Sequence, residues 1–430
     1  MIPRDRREII SWALYDWANS AFAVTVMAGF FPVFFKQFWS SGTDVAQSTL
    51  HLGSANSAAS LVIVILAPLL GTLADQGGRK KLFLLLFAAL GILMTATLFG
   101  VESGDWRTAT GLYLLATIGF SGSIVFYDAL LVDVAAGRHL DFISGLGYAL
   151  GYLGGGLLFA LNVTMTLYPS WFGLADPAAA IRYSFLLVAV WWTLFSLPLL
   201  LFVHEPRPLT APTRPLESVI ATLRQLATTF SRIRRLRVVF LFLLSYWLYI
   251  DGVDTIIKMA VDYGLALGFD SNSLILALLI TQFVGFPAAI LFGILGERLG
   301  AKRGIYLAIG VYFIVVVWAS RMESEWEFFA MAVTIGMVQG GIQSLSRSFY
   351  ARIIPSDKGG EFFGFYNMLG RSAAILGPFM MGWVGVVSGS PRLSILAIAL
   401  LFLLGLILLL FVDERAGCQM AHSLEKAGRS

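Results

Sequence analysis

The chain has 430 residues, of which 58% are hydrophobic and only 13% are charged, and its mean hydropathy is +0.79. Soluble proteins carry charge on about a quarter of their residues, so the composition excludes a soluble globular enzyme and indicates a multi-pass membrane protein. The formal net charge of +4 does not indicate a nucleic-acid binder, because the basic residues are spread among short loops rather than gathered on one domain.

Twelve stretches are long and apolar enough to cross a membrane as helices, since one crossing needs about 20 mostly apolar residues. The predicted spans are residues 9–35, 52–73, 82–101, 110–134, 144–167, 181–203, 238–264, 273–295, 304–320, 327–347, 362–387 and 393–412. The sequence therefore predicts an all-α integral membrane protein with twelve transmembrane helices.

One long polar segment, residues 204–237, separates the sixth span from the seventh. It divides the chain into an N-terminal six-helix bundle over 1–203 and a C-terminal six-helix bundle over 238–412, followed by a polar tail over 413–430. The linker is rich in proline at first and then has the pattern of an amphipathic helix. The only cysteine, Cys418, lies in the tail, so no intramolecular disulfide is expected.

The basic residues predict the orientation of the chain in the membrane. With the N-terminus inside, most of the 30 lysines and arginines fall in loops on the cytoplasmic side, and Arg347 is counted among them. Cytoplasmic loops carry such an excess of basic residues, and the arginine-rich linker would add attraction to anionic membrane lipids. We expect both termini in the cytoplasm.

The two halves of the chain repeat one another. GTLADQGGRKK at 71–81 and GILGERLGAKR at 293–303 place a glycine, an acidic residue, a second glycine and a basic cluster at the same spacing. The first and seventh spans also match, with Trp12, Asp16, Asn19 and Ser20 standing where the later span has Trp247, Asp251, Asp254 and Thr255. Two pseudo-symmetric six-helix bundles with a cavity between them are the architecture of many secondary transporters.

The repeated loops resemble the signature between helices two and three, and eight and nine, of the major facilitator superfamily. Gln76 and Ala301 depart from it, because basic residues are usual there. The segments WALYDWANSAF at 12–22, LYIDGVDTI at 248–256, SLSRSFYARIIP at 344–355 and EFFGFY at 361–366 resemble poorly characterised bacterial facilitators related to the autophagy-related vacuolar effluxers of fungi. The resemblance covers nearly the whole chain and implies the major facilitator fold. The fungal relatives are associated with amino-acid release from the vacuole, whereas the bacterial branch is largely unassigned.

A charged stripe lies within the seventh span, in LYIDGVDTIIKMAVDY at 248–263. On a helix, Asp251, Asp254, Lys258 and Asp262 fall within an arc of roughly 80°. Exposing a charged side chain to lipid has a high free-energy cost, so we expect the stripe to face a cavity and to mark a solute or ion path.

Two interpretations of the stripe remain open. Asp254 and Lys258 could form an internal ion pair that orients the helix, or Asp251, helped by Asp16 of the matching span, could bind solute or take up a coupling proton. The predicted helix starts put Asp251 about 20 Å and Asp16 about 10 Å into the membrane, although the repeat requires equal depths.

Arg371 lies near mid-membrane on the eleventh span. Its guanidinium could grip the carboxylate of a zwitterionic solute while Asp251 or Asp254 faces the amine, or it could only neutralise one of these aspartates.

Polar side chains on two matching spans are further candidates for lining the cavity. They are Thr117, Ser121 and Asp128 on the fourth span and Gln339 and Gln343 on the tenth. The alternative is that they only hydrogen-bond neighbouring helices. The aromatic residues Trp12, Tyr15, Trp17, Trp247, Tyr249, Tyr148 and Tyr152 could stack on a sugar, although such residues at helix ends also anchor spans at the membrane interface.

The repeated loops predict a cytoplasmic latch. Asp75 would accept hydrogen bonds from the positive N-terminus of a neighbouring helix, the eleventh, while Arg79 would reach Asp133 at the end of the fourth span. Lys80 belongs to the same loop, and Glu297 and Arg298 belong to the second copy. Rows of small residues predict that helix five packs on helix eight and helix two on helix eleven.

These patterns predict a secondary active transporter that works by alternating access. Amino acids or a related zwitterion are the leading substrate, protons are the expected coupling ion, and a sugar or peptidoglycan fragment is the alternative. A non-transporting receptor or scaffold is the rival from another class. No enzymatic activity or cofactor is expected, because the four histidines are scattered without metal-ligand spacing. We expect a monomer in the cell membrane, with no nucleic-acid partner.

Overall fold

A computed structural model describes residues 4–40, 45–135, 139–205, 236–373 and 376–429. Within these ranges the protein is all-helical, and twelve helical segments are long and apolar enough to cross a membrane. The predicted fold, with two pseudo-symmetric bundles of six helices, is confirmed. The linker, whose amphipathic helix was predicted within 204–237, lies almost wholly outside the described residues.

The N-terminal half contains six spans. Its helices are α1 Arg4–Ala21, α2 Val45–Gly77, α3 Lys80–Thr97, α4 Trp106–Ala135, α5 Leu140–Leu167 and α6 Pro177–Phe202. The first span continues beyond α1 through the π-helical segments Phe22–Phe30 and Phe35–Trp39 and the α-helical turn Phe31–Phe34 between them. Helix α6 has the usual features of a helix N-terminus. Its first residue is Pro177, and the Asp176 carboxylate accepts a hydrogen bond from Ala179 N at 2.7 Å.

The C-terminal half repeats this order. Its helices are α7 Arg237–Ala266, α8 Ser271–Leu299, α9 Ala301–Ala319, α10 Glu325–Ile353, α11a Gly359–Ala373, α11b Leu376–Ser388, α12a Pro391–Ala397 and α12b Ala399–Leu410. A final amphipathic helix, α13 Glu414–Arg429, forms from the predicted polar tail and packs on α10. Its Gly417 lies against Ile353 and Val238.

The two halves meet along the helix pairs that the small-residue rows predict. Helix α5 packs on α8, and α11a packs on α2, so both predicted contacts are confirmed. Gly145 of α5 and Gly293 of α8 lie so close that a Cβ built on Gly145 would stand 2.7 Å from Ala289 O and 3.0 Å from Gly293 Cα. The backbones of the two halves therefore touch directly, as small residues permit.

One membrane face collects the loops between α2 and α3, α4 and α5, α8 and α9, and α10 and α11a. We call it the basic face, because the basic clusters at 79–81 and 302–303 lie there. The helices extend further towards this face than the apolar spans do. Since α1 begins at Arg4 rather than at residue 9, Asp16 lies about 18 Å and Asp251 about 21 Å along their helices. The two aspartates lie at similar depths, as the repeat requires, and the predicted start of the first span was wrong because it was placed at the first apolar residues.

Candidate functional site

Asp75, at the end of α2, accepts two backbone hydrogen bonds from the other half. The donors are Gly360 N at 2.9 Å and Glu361 N at 2.7 Å, in the first turn of α11a. The first N–H groups of a helix have no partner within the helix and carry partial positive charge, so a carboxylate stabilises them. The contact expected of Asp75 is present.

Glu297, at the end of α8, makes the matching contact in the opposite direction. Its carboxylate accepts from Asp141 N at 3.1 Å and Phe142 N at 3.4 Å, where α5 begins. Asp141 is in turn bound by Ser348 Oγ and by Arg352, both on α10. Each half thus holds a helix N-terminus of the other half at the basic face.

The basic partner predicted for Asp133 was wrong by one residue. Arg79 is exposed, whereas the neighbouring Lys80 is only 6% exposed and places Nζ 3.0 Å from Asp133 and 3.3 Å from Asp75. Because α3 begins at Lys80, that side chain turns into the bundle while Arg79 stays outside. Arg298 is exposed and takes no part in these contacts.

The sequence predicted that Arg347 belongs to a cytoplasmic loop. The structure instead places Arg347 inside the protein. It is 2% exposed because α10 continues to Ile353. Its Nη1 donates to Asp128 Oδ1 at 3.0 Å, Nε to Ser144 Oγ at 2.9 Å and Nη2 to Ser144 O at 2.9 Å. Asn367 of α11a donates to the other oxygen of Asp128 at 3.1 Å. Asp128 of the first half is therefore held by two helices of the second.

Three aromatic rings surround the Arg347 guanidinium. Its central carbon lies 5.0 Å from the ring centroid of Trp12, 5.3 Å from that of Tyr127 and 4.4 Å from that of Tyr148. These distances fit cation–π contacts. The rings of Trp12 and Tyr148, candidates for stacking on a sugar, face an internal cation instead.

The matching aspartates of the first and seventh spans each lie 3.4 Å from a hydroxyl one helical turn later, Ser20 for Asp16 and Thr255 for Asp251, and differ in their other partner. Asp251 is fully buried, and its two oxygens lie 3.0 and 3.1 Å from Gly377 N at the start of α11b. The partners of Asp16 in the described part of the chain are two hydroxyl groups, those of Ser20 and Tyr127, each at 3.4 Å. Asp251 caps a helix, whereas Asp16 has no backbone donor among the described residues.

Three charged residues lie in the middle of the spans: the anion Asp254 and the cation Lys258 on α7, and the cation Arg371 on α11a. In the described part of the chain, Asp254 and Lys258 do not form the ion pair that was one of the two interpretations of the stripe, and Arg371 forms none. The guanidinium of Arg371 lies 5.7 Å from the centroid of the Phe120 ring, across the interface in α4. The side chain of Asp262 lies outside the described residues.

The other candidate residues for lining the cavity are found in three different surroundings. Tyr152 of α5 donates to Gln343 at 3.4 Å across the interface. Gln339 lines an apolar cavity of about 90 Å³ inside the second half, beside Ile257 and Thr281. Asn19 is buried, and its amide nitrogen has no hydrogen-bond partner within the described ranges. The polar residues on α10 thus divide between the interface and a cavity of their own half.

These groups form layers below the basic face. The carboxylates of Asp75 and Glu297 lie at the face itself, and the Asp128–Arg347 pair lies about 10 Å below it, counted from the ends of α4 and α10. Arg371 follows at about 18 Å along α11a. The interface is closed from the basic face down to the layer of Arg347.

Comparison with known proteins identifies the family. Residues 4–56, 48–140 and 133–422 match the family described as Vacuole effluxer Atg22 like. The chain belongs to this family. YxiO of Bacillus subtilis, an uncharacterised transporter of the major facilitator superfamily type, is 38% identical over 98% of each chain. Autophagy-related protein 22 of Saccharomyces cerevisiae is 22% identical over 99% of this chain and 95% of that protein.

The crystal structure of the human organic anion transporter MFSD10 has the same fold as this Atg22-like protein. The TM-score is 0.73 at 16% identity, over 95% of this chain and 100% of that one. Together with the twelve spans, the comparison with YxiO makes the Atg22-like protein a multi-pass membrane transporter of the major facilitator superfamily.

Proposed function

We propose that this Atg22-like protein is a secondary active transporter that moves a small zwitterionic solute, an amino acid or a close relative, across the cell membrane. The observation that carries the proposal is the arrangement of Asp254 and Arg371. They lie on α7 and α11a, two helices that pack on one another, yet they form no ion pair among the described residues. Charges left unpaired within a span are costly, so they point to a ligand that neutralises both.

A zwitterion carries the two groups that this arrangement needs. The planar guanidinium of Arg371 can bind a carboxylate with two parallel hydrogen bonds, and the carboxylate of Asp254 can accept from an ammonium group. Both side chains are partly exposed, so a solute between the halves reaches them. A neutral sugar would leave both charges unpaired, which disfavours the sugar or peptidoglycan-fragment alternative.

The partners of Asp16 support proton coupling at that residue. Both are hydroxyl groups, and a hydroxyl can accept a hydrogen bond as well as donate one. Protonated Asp16 could therefore keep its bonds by reversing their direction. Asp251 has a hydroxyl neighbour too, Thr255 at 3.4 Å, but its closer partner is the backbone N–H of Gly377, which can only donate and so favours the charged carboxylate. We assign proton uptake to Asp16 and the support of α11b to Asp251.

The closed basic face supports transport by alternating access. Asp75 and Glu297 hold the halves together there, and α5 and α8 pack backbone to backbone beneath them. Opening this face would break both sets of contacts and close the opposite face. By the excess of basic residues, the basic face is cytoplasmic, and both termini lie on that side of the cell membrane.

The test is uptake of a mixed amino-acid pool into proteoliposomes, measured by mass spectrometry with and without an inward proton gradient. We expect wild type to take up one or more amino acids faster with the gradient. Arg371→Gln should abolish uptake, whereas Asp16→Asn should retain exchange but lose the stimulation. Arg321→Gln, an exposed arginine in the loop between α9 and α10, is the matched control and should transport normally.

Three results would contradict parts of this proposal. Normal uptake by Arg371→Gln would remove the carboxylate site. A folded wild-type protein that moves no amino acid would exclude the substrate class, and sugars and cell-wall fragments would be tested next in the same vesicles. The absence of any flux would favour the receptor or scaffold.

A further inference from the structure

Every hydrogen-bond and ring partner that the structure gives the Arg347 guanidinium belongs to the other half of the protein. Arg347 comes from α10, but its contacts are Trp12 of α1, Tyr127 and Asp128 of α4, and Ser144 and Tyr148 of α5. We call these five residues the cation box. The C-terminal half supplies the cation, and the N-terminal half supplies the entire binding surface.

Two aromatic walls of the cation box, Trp12 and Tyr127, are held in place without help from Arg347. Trp12 Nε1 donates to Tyr127 O at 3.0 Å, and the rings of Trp12 and Tyr127 stack with centroids 4.4 Å apart. Both residues are essentially fully buried. Since these contacts lie within one half, the ring pair keeps its arrangement when the halves separate, while Asp128 is released from Asn367 and Ser144 from Ser344 O.

We propose that the cation box is a binding site for the guanidinium group of a small solute, and that Arg347 occupies this site while the basic face is closed. When the halves separate, Arg347 leaves with α10. The remaining aromatic rings, the Asp128 carboxylate and the Ser144 oxygens then face the open cavity. Rings around a carboxylate form a recurrent recognition site for organic cations.

The geometry selects a planar cation over a compact one. Each of the three nitrogens of Arg347 has its own oxygen: Asp128 Oδ1, Ser144 Oγ and Ser144 O, at 2.9 to 3.0 Å. An ammonium group cannot reach all three in the same plane between the rings. Methylguanidinium therefore fits the box better than methylammonium, which carries the same charge.

The inference rests on the proposed alternating access, because only separation of the halves empties the box. Its test does not depend on flux. Arg347→Gln removes the internal occupant, and binding of methylguanidinium to this purified variant is measured by titration calorimetry at constant ionic strength. Methylammonium at the same concentrations controls for charge, and wild type controls for sites elsewhere. Failed uptake of amino acids would leave this result untouched.

We expect Arg347→Gln to bind methylguanidinium at least about tenfold more tightly than wild type and more tightly than it binds methylammonium. Adding Asp128→Asn should weaken binding about 10- to 100-fold, because a hydrogen bond to a charged group is lost. Binding no tighter than to wild type, or binding indifferent to Asp128→Asn, would overturn the inference. Should Arg347→Gln not fold, Arg347→Lys replaces it. Its ammonium fills the box incompletely, so methylguanidinium must again bind more tightly than to wild type.

Discussion

Asp75 and Glu297 occupy equivalent positions in the two halves, and each carboxylate accepts two backbone hydrogen bonds from a helix N-terminus of the opposite half. The receiving helices, α11a and α5, are equivalent as well. The two contacts are therefore one interaction made twice around the pseudo-two-fold axis. Such a pair resists opening evenly, because neither half can tilt away without breaking one of them.

Substituting Asp75 by Asn should shift the protein towards a state that is open at the basic face. The amide keeps an acceptor oxygen but loses the charge that stabilises the N-terminus of α11a. Such an interaction is worth about 1–2 kcal/mol, a roughly five- to thirtyfold change in the ratio of the two states. In a Cys418→Ser background, the buried Ala129 is replaced by cysteine, and its rate of alkylation is measured. Unchanged labelling would contradict the latch, and the exposed Asp357→Asn is the control.

Lys80→Ala should destabilise the protein far more than Arg79→Ala. Removing Lys80 leaves two largely buried carboxylates, those of Asp75 and Asp133, without their shared cation. Breaking a buried pair in this way costs about 3–5 kcal/mol, whereas an exposed substitution stays within about 0.5 kcal/mol. The measurement is thermal unfolding of the purified protein in detergent. Equal losses of thermal stability for the two variants would show that Lys80 acts only as one more basic residue of the loop and that its contacts with Asp75 and Asp133 do not stabilise the fold.

The latch shows what the sequence could and could not determine. The repeated glycine and acidic residue predicted that Asp75 meets a helix N-terminus, because two loops with one spacing imply one geometry. The sequence could not determine whether Arg79 or Lys80 contacts Asp133. Neighbouring residues on a helix point about 100° apart, so the first residue of α3 decides which one turns inward, and sequence does not fix a helix start so closely.

Arg347 was missed because a predicted span ended on it. The helix continues to Ile353, which places the residue inside the bundle. The signal that could have found it is its separation of 219 residues from Asp128, the same interval that separates the starts of α5 and α11a. Equivalent positions near a pseudo-two-fold axis approach one another, so opposite charges at such positions predict a pair.

Asp251→Ala should destabilise the protein, whereas Asp251→Asn should retain most of its stability. The alanine variant leaves Gly377 N at the start of α11b without its acceptor, a loss of about 1–2 kcal/mol for a helix cap. Asparagine keeps one acceptor oxygen. Thermal unfolding of both variants in detergent decides this, with Asp357→Asn as the control. A larger loss for Asn than for Ala would mean that Asp251 acts through its charge on other groups.

The pH dependence of stability should include a contribution from Glu205, just beyond α6. Its carboxylate accepts from Lys80 N and from Lys81 N, where α3 begins. Burial nevertheless raises the pKa of Glu205 above its ordinary value of 4.5. The folded state thus holds this proton more tightly than the unfolded state, so stability falls as pH rises from about 4.5 through the raised pKa.

Glu205→Gln should remove that part of the pH dependence. The difference in unfolding temperature between wild type and variant, measured in detergent at a series of pH values from 4 upwards, should change across this window and stay constant above it. Glu102→Gln, an exposed carboxyl at the opposite face, provides the comparison. A difference that is flat throughout would show that the hydrogen bonds from α3 cancel the effect of burial, and a difference of opposite sign would show that they outweigh it.

Gly293→Ala should open the basic face, although alanine is the better helix former. A Cβ on Gly293 would lie 3.0 Å from Asp141 O and 3.2 Å from Phe142 Cα, so α8 and α5 must move apart. Gly310→Ala is the matched control, because a Cβ on this α9 residue meets nothing within 4 Å. It should gain the roughly 0.5–1 kcal/mol by which alanine exceeds glycine in a helix. We expect the two variants to shift the unfolding temperature in opposite directions, and only Gly293→Ala to speed alkylation of a cysteine at position 129. If both variants stabilise the protein, the halves have room to separate at this contact, and the close packing of α5 on α8 does not control the gate.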